Sequence, residues 1–95
     1  MSSIPELSDK ELRELLNCAG KPLVICCFTQ TCTPCKRMLP MLEDLSRTFS
    51  DGLTVVRVDV ERCPTFATVH DIAAVPTVLI AVNGAVRERF VGTIS

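Results

Sequence analysis

The chain has 95 residues, 47% of them hydrophobic, and its 10 basic and 11 acidic side chains leave a formal net charge of −1. A chain of this length buries one core, so we expect a single α/β domain over residues 1–95, and the balanced charge gives no reason to expect nucleic acid or an anionic membrane as a partner. The N-terminus carries no secretion signal and no apolar run approaches the ~20 residues needed to cross a bilayer, so we expect a cytoplasmic protein.

The first predicted element is a helix. Ser8 and Glu11 have the spacing of an N-terminal capping box, and Gly20 follows the last residue of the apolar pattern. Ile4 is a candidate for a short leading strand. The apolar residues at helical spacing are Leu12, Leu15, Leu16 and Ala19.

A continuous apolar run, Leu23–Phe28, predicts a central strand that is covered on both faces. A helical pattern follows over residues 33–49, with Phe49 on its apolar face and a kink expected at Pro40. Right-handed βαβ crossovers are expected to give parallel strands in the first part of the chain, and a hairpin to add an antiparallel edge. The remaining predicted elements are a strand over 53–60, a short helix over 64–70, a strand over 76–82, a turn at Asn83-Gly84 and a strand over 85–91.

Six cysteines in so short a chain raise the question of a secreted disulfide scaffold. The missing secretion signal argues against it, and so do Cys26 and Cys27, which are neighbours in a strand and therefore point to opposite faces. We expect four of the six to be buried small side chains or incidental thiols in a reducing compartment. These four are Cys18, Cys26, Cys27 and Cys63.

The remaining pair, Cys32 and Cys35, falls between a predicted buried strand and a predicted helix. A helix N-terminus favours an anion, so the first cysteine should have a lowered pKa and act as a nucleophilic thiolate. Cys35 lies one turn further on the same side, where it can close a disulfide, and Pro34 suits a first helical turn. This context favours a redox-active pair, with an inert structural disulfide or half of a zinc site as the alternatives.

Further motifs extend the pattern over most of the chain, from about residue 4 to residue 95. They are Phe28-Thr29-Gln30-Thr31-Cys32-Thr33-Pro34-Cys35-Lys36, Pro40, Val58-Asp59-Val60, Val75-Pro76-Thr77, Asn83-Gly84 and Val91-Gly92. In this order and near this spacing they resemble the thioredoxin family. The resemblance implies a thioredoxin fold, a mixed central sheet flanked by helices, and a thiol–disulfide oxidoreductase that reduces protein disulfides without a cofactor or metal.

The resemblance also implies roles for individual residues. Cys32 would be the exposed nucleophile, Cys35 the buried resolving thiol, and Pro76 a cis-proline facing them. The family's usual electron donor is an NADPH-dependent flavoprotein, a thioredoxin reductase. The residues expected to line the substrate groove are Thr31, Thr33, Pro34, Val75, Pro76 and Gly92.

Three positions of the site depart from the family pattern. Thr31 stands where the family has Trp, Thr33 where it has Gly, and Cys26 where it has a buried acid that helps to deprotonate the resolving thiol. Cys35 then lacks its base, unless Glu61, Asp59 or a water molecule replaces it. The first and third departures favour a rival function, a binding or adaptor module with weak redox turnover.

A last departure concerns the C-terminus, where the family's final helix is apparently absent. The strand over 76–82 nevertheless has the composition of one covered on both faces. We therefore expect an exposed apolar area that a dimer partner or a further domain covers. A trimmed chain and a divergent short form are the other interpretations.

Overall fold

The computed structural model describes residues 4–18 and 20–92. Its three helices and four strands follow the predicted order, and the strands form one sheet in the order β2-β1-β3-β4. The elements are α1 (Asp9–Leu16), β1 (Leu23–Phe28), α2 (Thr33–Thr48), β2 (Thr54–Asp59), α3 (Pro64–Val69), β3 (Thr77–Val82) and β4 (Ala85–Val91).

Strand direction changes at β3, one strand before the hairpin. β1 and β2 are parallel, whereas β3 is antiparallel to both β1 and β4. The parallel arrangement expected for the first part of the chain therefore holds only for β1 and β2. α3 has 6 residues, about 9 Å of helix, which is too short to carry the chain back along the full length of a strand. β3 consequently starts with Thr77 opposite Cys27, near the end of the sheet where β1 finishes.

The two faces of the sheet carry separate core clusters, because side chains alternate along each strand. Cys27 belongs to the cluster under α1 and α3, and Cys26 to the cluster under α2. The expectation that these neighbours point to opposite faces is confirmed. Both are buried, at 0% and 1% exposure, so β1 is covered on both sides as its continuous apolar run predicts.

The helix boundaries differ from the sequence pattern in two places. The capping box at Ser8 forms as predicted, with Ser8 Oγ accepting from Glu11 N at 3.2 Å and Glu11 Oε1 accepting from Ser8 N at 3.0 Å. α1 ends at Leu16, earlier than the apolar spacing implies, and Ala19 lies outside the described residues. α2 ends at Thr48, and Phe49 is its C-cap. Phe49 is 51% exposed, so it does not lie on the buried face of the helix as its spacing predicts.

The remaining features concern the two ends of the chain and Pro40. α2 continues through Pro40, and the leading strand reduces to one parallel bridge between Glu6 and Arg57. At the other edge, β4 exposes Phe90 and Val91 at 42% and 63%, and no helix follows it within the described residues. Over residues 4–18 and 20–92, no helix combines the length and the apolar character needed to span a membrane.

Candidate active site

Cys32 and Cys35 lie at the first turn of α2 and are joined by a disulfide, with a Cα–Cα distance of 5.2 Å. Cys32 is the N-cap, in an extended conformation with φ −78° and ψ 102°. Its Sγ accepts a hydrogen bond from the backbone N–H of Cys35 at 3.1 Å. The sulfur therefore takes the place that a Ser or Asp oxygen occupies at an ordinary N-cap, and it satisfies one of the free donors of the helix end.

The chain folds this way locally because each neighbour suits the start of a helix. Pro34 sits in the first turn, where its missing N–H costs nothing, and the N–H of Lys36 bonds to the carbonyl of Cys32 at 3.3 Å. No carboxylate occurs in the first turn of α2. The positive end of the helix dipole is therefore left for the sulfur of Cys32, which favours its thiolate once the disulfide is reduced.

Both cysteines are buried, Cys32 at 8% exposure and Cys35 at 4%. The expectation that Cys32 is exposed is therefore wrong for the disulfide form, because Cys32 packs with Cys35 and with Phe28 from the end of β1 in a small apolar cluster. Val75, from the segment before β3, packs against this cluster. The reversed direction of β3 is what brings Val75 to this end of the sheet.

The residues assigned to the substrate groove lie on three segments, residues 31–34, residues 75–76 and Gly92 after β4. Thr31, Thr33 and Pro34 are exposed on the chain around Cys32. On the second segment, the Val75–Pro76 peptide bond is cis, as the resemblance implies. The second segment is tied by two hydrogen bonds, from Gly92 N to the Pro76 carbonyl at 2.8 Å and from Thr77 Oγ1 to the Ala74 carbonyl at 2.6 Å.

A cavity of about 370 Å³ adjoins Cys35 on the α2 side of the sheet. Cys26 forms part of its wall, and burial raises the pKa of this thiol to about 11 although Arg57 acts in the opposite direction. The thiol is therefore neutral at physiological pH and is not a base. The lining residues are Cys26, Phe28, Thr29, Gln30, Cys35, Lys36, Leu39 and Arg57.

The two carboxylates considered as replacement bases are placed elsewhere. Asp59 is 1% exposed, and its oxygens accept hydrogen bonds from Gln30 Nε2 and from the backbone N–H of Glu61, both at 3.0 Å. Gln30 lines the cavity and links Asp59 to it, Arg62 Nε lies 3.8 Å from Asp59 Oδ2, and Glu61 is exposed. Neither Asp59 nor Glu61 is among the residues that line the cavity beside Cys35.

Arg57 is the residue that sequence reasoning missed. It is the Cα partner of Cys26 in the parallel register of β1 and β2, and its guanidinium lies over the Phe28 ring, 5.1 Å from the centroid. The available signal was a single Arg between Val56 and Val58 in an otherwise apolar strand. The remaining cysteines are free, with Cys18 exposed and the other three buried, which excludes the disulfide-scaffold interpretation.

Fold and site together define a small α/β domain with a dithiol–disulfide pair at a helix N-terminus. The sequence matches the family model named Thioredoxin over residues 3–95. The chain belongs to the thioredoxin family.

Curated relatives agree with this assignment. The chain is 33% identical over 81 residues to the chloroplastic thioredoxin Y2 of Arabidopsis thaliana. This match covers 85% of this chain and 48% of the relative. It is 32% identical over 95 residues to a thioredoxin of Buchnera aphidicola, covering 100% of this chain and 88% of the relative. The chain therefore spans about half the length of the chloroplast relatives and most of the length of the bacterial one.

A solved structure has the same fold. Mitochondrial thioredoxin 3 from Saccharomyces cerevisiae, in its oxidised form, superimposes with a TM-score of 0.84 at 31% sequence identity. The superposition covers 95% of this chain and 84% of the yeast chain.

Proposed function

We propose that this protein is a thiol–disulfide oxidoreductase that reduces protein disulfides through Cys32 and Cys35. One observation carries the proposal: the N–H of Cys35 donates to Cys32 Sγ at 3.1 Å at the start of α2. This donor and the helix dipole lower the energy of a thiolate at Cys32, and the second sulfur is already within bonding reach.

The proposed cycle begins with the reduced dithiol. The Cys32 thiolate attacks one sulfur of a substrate disulfide, a mixed disulfide forms, and the other substrate sulfur leaves as a thiolate that takes a proton from solvent. Cys35 then loses its proton to solvent and attacks the sulfur of Cys32. The second substrate sulfur leaves as a thiolate that takes a proton from solvent, and the Cys32–Cys35 disulfide remains.

Two electrons must be returned to this disulfide before the next turnover. We propose a thioredoxin reductase as their source, because the chain belongs to the thioredoxin family. Purified reductase and NADPH supply the test, since oxidation of NADPH on addition of the oxidised protein is followed by absorbance. No NADPH consumption beyond that of the reductase alone contradicts this partner.

The substrate is expected to lie across the two segments that flank the disulfide. Val75 packs against the sulfur cluster, and Gly92 is tied to the Pro76 carbonyl, so the second segment has a fixed position. An extended substrate strand would pair with the backbone at Val75. Thr31, Thr33 and Pro34 would contact the residues around the substrate cysteine from the other side.

An insulin-reduction assay with dithiothreitol as electron donor tests the activity. The native protein is expected to accelerate the reaction, and Cys32→Ser to lower the rate to that of dithiothreitol alone. Cys18→Ser is the matched control, because Cys18 is a free and exposed cysteine distant in sequence from the pair. Equal rates for the native protein and Cys32→Ser contradict the oxidoreductase.

The rival function, a binding or adaptor module, has one specific observation in its favour. Thr31 is small where the family has Trp, and the chain contains no Trp, so the groove lacks a large apolar contact. Thr31→Trp is therefore expected to lower the KM for insulin. A folded protein that binds a reduced peptide but shows no turnover supports the adaptor.

We propose a reducing compartment, the cytoplasm, for the protein. Support comes from four free cysteines, one of them exposed, since an oxidising compartment would pair or modify such thiols. Cell fractionation and fluorescence imaging test the location.

We also propose that a dimer partner or a further domain covers the exposed side of β4. The proposal rests on the exposure of Phe90 and Val91 and is tested by light scattering.

A further inference from the structure

The cavity beside Cys35 holds an unusual combination of charges. Lys36 and Arg57 line it, and among the residues that the structure describes no carboxylate does. Neither cation has a carboxylate within 4 Å in the described part of the chain. The cavity surface therefore carries positive charge when Cys35 is protonated.

Arg57 lines the same cavity as Cys35 and is fixed there by two contacts. Its Nε donates to the Ile4 carbonyl at 3.3 Å, and its guanidinium lies 5.1 Å from the centroid of Phe28. Phe28 in turn packs against Cys32 and Cys35. The Phe28 ring thus contacts both the guanidinium and the cysteine cluster, and a charge beside an apolar ring acts more strongly than the same charge in water.

The groups around Cys35 come from three elements and one loop segment. β1 contributes Cys26, β2 contributes Arg57, α2 contributes Cys32 and Lys36, and the segment before β3 contributes the uncharged Val75. Cys26 is neutral, because burial raises its pKa to about 11. The Asp59 carboxylate accepts hydrogen bonds from Gln30 Nε2 and from the Glu61 N–H.

We propose that the Cys35 thiolate is stabilised by positive charge in this cavity, with Arg57 as the main positioning residue, in place of a carboxylate base. The inference rests on the proposed function and names how its resolving step works. Cys35 gives its proton to solvent water through the open cavity. Its thiolate then attacks Cys32 Sγ, so that the Cys32–Cys35 disulfide forms and the substrate sulfur leaves as a thiolate that takes a proton from solvent. The positive charge of Arg57 and Lys36 balances the negative charge of the Cys35 thiolate.

The test is a titration of Cys35 in a Cys32→Ser background, followed by NMR of protein labelled with ¹³C at cysteine Cβ. Arg57→Met is expected to lower the thiolate fraction of Cys35 at pH 7 about tenfold, the size expected for one partly buried charge several ångströms away. Arg57→Lys keeps the charge and is expected to change this fraction less than about twofold. Arg57→Met with an unchanged titration overturns the proposal.

Cys26→Asp separates cation stabilisation from base catalysis. A carboxylate in the cavity would neutralise Arg57 and repel the Cys35 thiolate, so the pKa of Cys35 is expected to rise. Release of substrate from its mixed disulfide with Cys32, which depends on the Cys35 thiolate, is expected to slow. Faster release in Cys26→Asp overturns the proposal. If circular dichroism shows that this variant does not fold, the comparison of Arg57→Met with Arg57→Lys is the test.

Insulin reduction by the native protein distinguishes the two levels of failure. A native protein without turnover contradicts the proposed oxidoreductase, whatever Cys35 does in the titration. If the native protein shows turnover but Arg57→Met leaves the titration of Cys35 unchanged, only the role given to the cavity is contradicted.

Discussion

The backbone N–H of Cys35 donates to the sulfur of Cys32, so the two cysteines are connected by the helix as well as by their disulfide. The hydrogen bond depends on the backbone of α2 and not on the Cys35 side chain. It is therefore expected to persist when the disulfide is reduced. A donor fixed in this way stabilises negative charge on Cys32 at the moment when the substrate is attacked.

Alkaline pH is predicted to destabilise the fold through Cys26 and Cys27. Burial raises the pKa of Cys26 from 9.0 to about 11 and that of Cys27 from 9.0 to about 12. Above pH 9 the unfolded chain releases these protons while the folded chain keeps them, so the free energy of unfolding falls as pH rises. At pH 10 each thiol is expected to cost about 1 kcal/mol, measured by urea unfolding at pH 8 and pH 10.

Single replacements separate this effect from other groups that titrate at high pH. Cys26→Ala and Cys27→Ala are each expected to lower stability at pH 8, because they leave a cavity, but to show a smaller further loss at pH 10. If both variants lose as much free energy of unfolding between pH 8 and pH 10 as the native protein, the two thiols are not the cause.

Gly84 is predicted to tolerate no side chain. It has φ +82°, and a Cβ built there would lie 2.7 Å from the backbone oxygen of Leu16, an atom that cannot move without disturbing the end of α1. Gly84→Ala is expected to lower the free energy of unfolding by about 2 kcal/mol or more. Thermal and urea unfolding measure the change.

Gly92→Ala is the matched comparison for this steric claim. Gly92 has φ +91°, but among the residues that the structure describes nothing lies within 4 Å of a Cβ built on it, so only the backbone strain applies. Gly92→Ala is expected to lose about 1 kcal/mol. Equal losses for the two variants would mean that the approach of Leu16 contributes nothing.

Asp59 is predicted to hold the end of β2 in place. Its buried carboxylate accepts from Gln30 Nε2 and from the Glu61 N–H, both at 3.0 Å. Asp59→Ala leaves the Glu61 N–H without this partner and is expected to cost about 2–3 kcal/mol of stability, whereas Asp59→Asn, which retains an acceptor oxygen, costs less. Denaturant unfolding gives both values, and a loss below 0.5 kcal/mol in Asp59→Ala would contradict the role.

Local chemistry explains what was predictable at the site. The disulfide follows from the spacing of Cys32 and Cys35 at a helix start, and the capping box at Ser8 follows from four neighbouring residues. The opposite orientation of Cys26 and Cys27 follows from the pleat of a single strand. None of these features requires contacts between distant parts of the chain.

The features that were missed depend on such contacts. Arg57 lies opposite Cys26 because of the register between β1 and β2, and no local pattern specifies that register. The direction of β3 depends on the short path through α3, and the exposure of Phe49 on where α2 ends. The cavity beside Cys35 combines residues of three elements and of the loop after β1.

Titration of the Cys32 thiol in the Cys35→Ser variant tests whether the start of α2 prepares Cys32 as a nucleophile. Removing the Cys35 sulfur leaves the N–H of residue 35 and the helix start in place, so only their effect on Cys32 is measured. The pKa of Cys32 is expected to lie at least one unit below the ordinary thiol value of about 8.5, read from the ¹³Cβ shift against pH. A pKa at or above about 8.5 would contradict a nucleophile prepared by the helix.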